Sequence, residues 1–191
     1  MVKSQNCGIQ SLFRIHIVPK TVEIVYFANS RQGDVLPAVD MRMADVQVEI
    51  DTHVKGGAGT IVLADCRGVE DLQRLDMALS VAEARAGRNA GGVRIIASAA
   101  DSAAGLLGLV SLGGKSTRLV GLTWSRSSFC RDVGCTSGSE VAEHARLQLI
   151  VAARAFSLPA YDSRDTDTDT EDDFVSTSMS LGFDGYSTGN D

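Results

Sequence analysis

What most constrains this chain is an alternation. Short apolar runs the length of a strand are followed by stretches with apolar residues at helical spacing. The strand-like runs are VEIVYFA (22–28), GTIVLAD (59–65), VRIIASA (93–99), RLVGLTW (118–124) and SLPAYD (157–162). Between them, EDLQRLDMALSVAEARAG (70–87) sets Leu72, Leu75, Leu79 and Ala82 on one face. Glu70 and Asp71 fall in its first turn, where the helix dipole favours acids. SEVAEHARLQLIVAARAF (139–156) sets Val141, Ala145, Leu149 and Ala152 on one stripe, behind Ser139 and Glu140. DSAAGLLGLV reads as a short helix opened by Asp101 or Ser102. The polar turn SRQGD leads into an amphipathic stretch reaching about residue 50.

Strand and helix at this spacing predict an α/β fold of repeated βα units with a mostly parallel sheet. Right-handed crossovers lay the helices over the strands. About five such units are visible, fewer than the eight of a (β/α)8 barrel. In such folds the chemistry sits at the carboxyl ends of the strands. Asp65 stands at one such end, Asp101 just beyond another, and WSRSSF (124–129) follows a third.

The 191 residues suffice for one domain with a core. They divide into an arm (1–21), the βα domain (22–185) and a loose tail (186–191). A net charge of −6 argues against nucleic-acid binding, which needs a basic surface. No apolar run approaches the ~18 residues of a membrane span. Four cysteines in a chain this long fit a reduced compartment, so a cytoplasmic location is expected. The alternative is mitochondrial, because the first 22 residues carry Lys3, Arg14, His16 and Lys20 and no acid. DSRDTDTDTEDDF (162–174) lacks the glycine and final glutamate of a calcium loop and reads as a solvated loop. Its TEDDF end suits a helix start.

Several motifs dissolve on inspection. GGKST (113–117) resembles the end of a phosphate loop, but position 109 is leucine rather than glycine. A serine triad has His16, His53 and His144 available as bases, but there is no G-x-S-x-G elbow. Cys130 and Cys135 lack partners spaced for zinc. Asp65 and Asp101 suit a base or a metal ligand, and equally a helix cap.

Three segments carry a resemblance: GTIVLADCRGVEDLQRLDMAL, RLVGLTWSRSSFCRDVG, and LIVAARAFSLPAYDS with LGFDG. They resemble the citrate lyase beta-subunit-like branch of the HpcH/HpaI aldolase family. Arg118, Gly121, Leu122, Asp132 and Gly134 fall in register in the second segment. Ala152, Ala153, Arg154, Leu158, Pro159, Asp162 and Gly182 to Gly185 do so in the third. The resemblance implies a TIM-type (β/α)8 barrel, here incomplete and shortened at both ends. It also implies a carbon–carbon lyase acting on citryl-, citramalyl- or malyl-CoA. Magnesium held by one Glu and one Asp would polarise the substrate, and an early-strand arginine would add charge.

The family's metal Glu falls on Ala97 and its metal Asp on Ser128. The early-strand arginine falls near Phe27, where Asn29 is kept, and the family's Lys falls on Asp65. A shift of a few residues would bring Asp101 to the metal position. The substitute groups are therefore Asp65 and Asn29 for catalysis, and Asp101 and Asp132 for metal. Two readings follow. One is a lyase that keeps acyl-CoA or metal chemistry through these groups. The other is a non-catalytic relative, a pseudoenzyme, that binds a partner chain or a second copy. A serine hydrolase is a third. Missing strands would leave open sheet edges, with closure dependent on a partner.

Overall fold

The structure, a computed structural model, describes residues 21–26, 33–164 and 170–190. Its strands are β1 (Thr21–Tyr26), β2 (Gly33–Val39), β3 (Thr60–Leu63), β4 (Arg94–Ser98), β5 (Leu119–Thr123), β6 (Tyr161–Ser163) and β7 (Gly185–Asn190). Its helices are α1 (Val46–Lys55), α2 (Val69–Arg85), α3 (Ala103–Gly108), α4 (Arg126–Val133), α5 (Glu140–Ala155) and α6 (Glu171–Leu181), with a 3-10 turn at Leu109–Leu112.

The strands form one seven-stranded sheet in the order β5-β4-β3-β2-β1-β7-β6. Neighbours from β2 to β5 run parallel, as do β6 and β7. β1 alone among the described strands runs against both its neighbours, β2 and β7. The two ends of the order then meet. Leu122 of β5 bridges Ala160 in parallel, and its nitrogen donates to Pro159 O at 3.0 Å. The sheet is a nearly closed, mostly parallel barrel, of the kind the resemblance implied. The expected open edges are absent because β1 and β7 fill the gap between β2 and β6.

Val22, Ile24, Ala38, Val62, Ile96 and Tyr161 form a cluster drawn from strands alone, which is the interior of the barrel. Tyr161 lies close to Gly121, where an added Cβ would stand 2.8 Å from the ring. The larger core lies outside the sheet, between strands and helices. Leu72, Leu75, Leu79 and Ala82 of α2 are buried there, on the face the spacing predicts. In α5 the stripe is rotated: Ala142, Ala145, Leu149 and Ala153 are buried, and Val141 is exposed. Arg146 shares that buried face, because its charge is matched internally.

Two segments depart from expectation. The stretch after SRQGD begins with β2, and its helix starts only at Val46. Residues 186–190, expected as loose tail, lie in β7 and pair with β1.

Candidate functional site at the strand ends

The carboxyl ends of β2, β3, β4 and β5 converge on one rim of the barrel. Three aspartates gather there: Asp40 after β2, Asp65 after β3 and Asp101 after β4, all 6 % exposed or less. Neither Asp65 nor Asp101 caps a helix. Ser102 caps α3 by accepting from Gly105 N, and Gly68 occupies the cap position of α2.

Asp101 is held by three donors from three strand ends. Ser98 Oγ donates to Oδ1 at 2.7 Å, Ser125 N to Oδ1 at 2.6 Å and Asp65 N to Oδ2 at 3.1 Å. Burial pushes its carboxyl up to about 6, against the pull of these bonds, and the Asp65 charge adds to the rise. Asp65 lies at positive φ, 41°, which aspartate enters more readily than most residues other than glycine. Its Oδ1 accepts from Ser102 Oγ at 2.7 Å. Its Oδ2 meets Arg67 Nη2 at 2.9 Å and Arg42 Nη1 at 2.6 Å. Burial alone would raise the Asp65 carboxyl, but Ser102, Arg67 and Arg42 outweigh it and hold it below the usual range. Arg42 also grips Asp40 through Nε and Nη2, both at 2.8 Å.

The residues singled out in the sequence fall as follows. Asp65 and Asp101 come together. Asp132 serves a different donor, accepting from Ala103 N at 2.9 Å at the start of α3. Asn29 lies outside the described residues. Ala97 is fully buried in the core between sheet and helices, so a carboxylate at 97 would not face the strand-end cluster. The acid that does face it after β4 is Asp101. The run near Phe27, where the resemblance put an early-strand arginine, lies outside the described residues beyond Tyr26. The strand parallel to β3 is β2, not the run at 22–28. An arginine that stands at the rim after β2 is Arg42, which was not among the residues singled out in the sequence. Its signal was the short VDMR step between a strand and a helix.

Ser125, Ser127 and Ser128 form a hydroxyl chain. Ser125 Oγ lies 3.3 Å from Ser127 Oγ, donates to Ser128 Oγ at 3.0 Å, and caps α4 by accepting from Ser128 N. None of the three is hydrogen-bonded to a histidine among the described residues. The hydroxyls start a helix rather than form a triad.

Magnesium wants oxygen ligands with free lone pairs, usually from carboxylates, in octahedral geometry. Here three protein donors already engage Asp101, and a hydroxyl and two guanidiniums engage Asp65. Ser128, on which the resemblance puts the family's Asp, is a neutral hydroxyl. Among the described residues, no group of three or more His, Cys, Asp or Glu side chains is arranged to hold a metal. The donor set does not fit the ion, because two arginine charges stand where a cation's charge would be.

The comparisons with known proteins bear on the family and the fold. The chain is 26 % identical over 145 residues to the citrate lyase subunit beta of Haemophilus influenzae, covering 73 % of this chain and 50 % of that protein. It is 29 % identical over 145 residues to the subunit of Leuconostoc mesenteroides subsp. cremoris, covering 73 % and 47 %. The chain thus spans about half the length of the curated relatives it matches. Among solved structures, RipC from Yersinia pestis superimposes with a TM-score of 0.63 at 22 % identity, covering 76 % of this chain and 66 % of RipC. The CitE protein of Mycobacterium tuberculosis, in complex with magnesium and acetoacetate, gives 0.61 at 20 % identity, covering 77 % and 59 %. The HpcH/HpaI aldolase/citrate lyase profile matches residues 32–190, beginning at β2, and the chain belongs to that family.

Proposed function

We propose that the chain derives from carbon–carbon lyases acting on acyl-CoA thioesters of the citryl-, citramalyl- or malyl-CoA type. We further propose that its strand-end site has given up magnesium-dependent cleavage. The protein then acts as a binding chain beside a second copy or a different subunit. One observation carries this reading: both arginines, Arg42 and Arg67, close on the single oxygen Oδ2 of Asp65. That arrangement neutralises internally a charge that a metal would otherwise neutralise. The relatives are themselves named as subunits, which supports the partner.

Calorimetric titration with magnesium, paired with turnover assays on malyl-CoA and citramalyl-CoA, tests it. Neither heat of metal binding nor cleavage is expected. Metal-dependent cleavage of either thioester would overturn it.

A second reading is favoured by the raised carboxyl of Asp101, at about 6. A base poised near neutrality suits removal of the substrate hydroxyl proton as the carbon–carbon bond breaks. The bond's electron pair would pass to the carbon beside the thioester carbonyl, and Arg42 and Arg67 would face the resulting enolate charge. Cleavage persisting in a chelator, with an acid limb near pH 6, would select this reading.

A further inference from the structure

On the same rim, beside the strand-end cluster, a cavity of about 160 Å³ opens between α4, α5 and α6. Arg126, Arg146, Asp173, Phe174 and Thr177 line it. The two arginines are not equivalent. Arg146 is 6 % exposed, and Asp162 accepts from its Nη2 at 2.6 Å and its Nε at 2.9 Å, so its charge is matched from below. Arg126 is held with no ion pair among the described residues. Its guanidinium lies 5.2 Å over the Trp124 ring, and its Nη1 donates to Ser137 O at 3.1 Å.

Asp173 faces the same cavity from the first turn of α6, where it accepts from Thr170 Oγ1 at 2.6 Å. Among the described residues no ion pair joins Arg126 to Asp173. One cation and one carboxylate therefore line a single small cavity without meeting. Phe174, nearly buried, gives it an apolar wall. The volume is about that of five water molecules, below the roughly 300 Å³ at which drug-sized ligand pockets begin. Its size suits a short acid.

We propose that this cavity binds a small carboxylic acid bearing a hydrogen-bond donor, a hydroxyl or an ammonium, on its α-carbon. The carboxylate docks on Arg126, whose planar fork suits it. The donor points at Asp173, and the short carbon chain lies against Phe174. Binding here needs neither metal nor turnover at the strand ends, so it goes beyond the reading above and can fail independently of it.

The test is titration in a chelator with lactate, alanine and propionate. It is followed by calorimetry and by the fluorescence of Trp124, the chain's single tryptophan. Lactate or alanine is expected to bind about tenfold tighter than propionate, which lacks the donor. The variant Arg126→Gln should weaken the preferred acid about tenfold, and Arg126→Lys should weaken it less. Asp173→Asn should reduce the preference over propionate. Equal binding of all three acids, no binding of any, or undiminished binding by Arg126→Gln would overturn the proposal. Circular dichroism checks that each variant is folded.

Discussion

The backbone nitrogen of Asp65 stands 3.1 Å from Oδ2 of Asp101, so the turn after β3 is tied to the turn after β4 by a carboxylate 5 % exposed. Ser125 N binds the other oxygen of the same group and adds the end of β5. Replacing Asp101 with alanine strands these two backbone donors. Burying an unmet donor costs roughly 1–3 kcal/mol, so Asp101→Ala should lose about 3 kcal/mol or more of unfolding free energy. A urea midpoint unchanged from wild type would show that the three strand ends are held by something else.

The same group fixes a pH dependence. Its folded value, about 6, exceeds the ordinary 3.8, so the native protein holds the proton more tightly than the unfolded chain does. The stability this contributes is complete below the unfolded value and is lost as pH rises through about 6. Wild type should therefore gain on Asp101→Asn, by on the order of 3 kcal/mol, as pH falls from neutrality toward 4. Urea unfolding of both proteins across that range measures it, and a difference that shrinks on acidification contradicts it.

Arg42 and Arg67 keep Asp65 ionised by closing on its Oδ2. With both changed to glutamine, Asp65 lies buried beside Asp40 and Asp101 with no cation to balance them. A bound ion stabilises whichever state binds it. The double variant should be less stable than wild type, and magnesium should raise its melting temperature while leaving that of wild type unmoved. Equal magnesium responses of the two proteins would mean that the arginines do not stand in for a cation.

At the opposite rim, Glu83 is fully buried and meets Arg118 Nη1 at 2.9 Å and Nη2 at 2.8 Å, with Gly91 N and Val93 N as further donors. Burial alone would raise this carboxyl, but Arg118 and the backbone donors outweigh it and bring it to about 2. Its contribution is therefore present above the unfolded value of 4.5 and is lost as pH falls toward 2. Glu83→Ala should cost about 3–5 kcal/mol, as breaking one side of a buried pair does. Glu83→Ala combined with Arg118→Met should cost less than the two single changes summed. Simple additivity would show that the pair is not coupled.

The elements that the sequence revealed were those whose own pattern suffices. α2 declared its buried face through Leu72, Leu75, Leu79 and Ala82, and β3, β4 and β5 stood out as apolar runs. β2 was hidden because GDVLPAV contains a proline, which cannot donate to a ladder. It is a strand because β1 and β3 flank it, a fact of tertiary context. β7, GYSTGN, is too polar and glycine-rich to declare itself, and β1 supplies six pairing partners. The site followed the same division. Asp65 and Asp101 could be found as acids at strand ends, whereas Arg42 could not be placed until β2 was known to be the neighbour of β3. The rotation of α5 was hidden because Arg146 looks like a surface residue until Asp162 is seen beneath it.

The reversed strand β1 has a consequence for approach. Tyr26, at its carboxyl end, pairs with Gly185, at the amino end of β7. The end of β1 therefore opens on the rim opposite the one that carries Asp65, Asp101 and Arg126. The described residues of the working face are supplied by the strands that share the other direction. A visiting molecule would find that face asymmetric. It is crowded with charge and hydroxyls on the arc from β2 to β6, and at β1 it meets the start of a strand rather than its end.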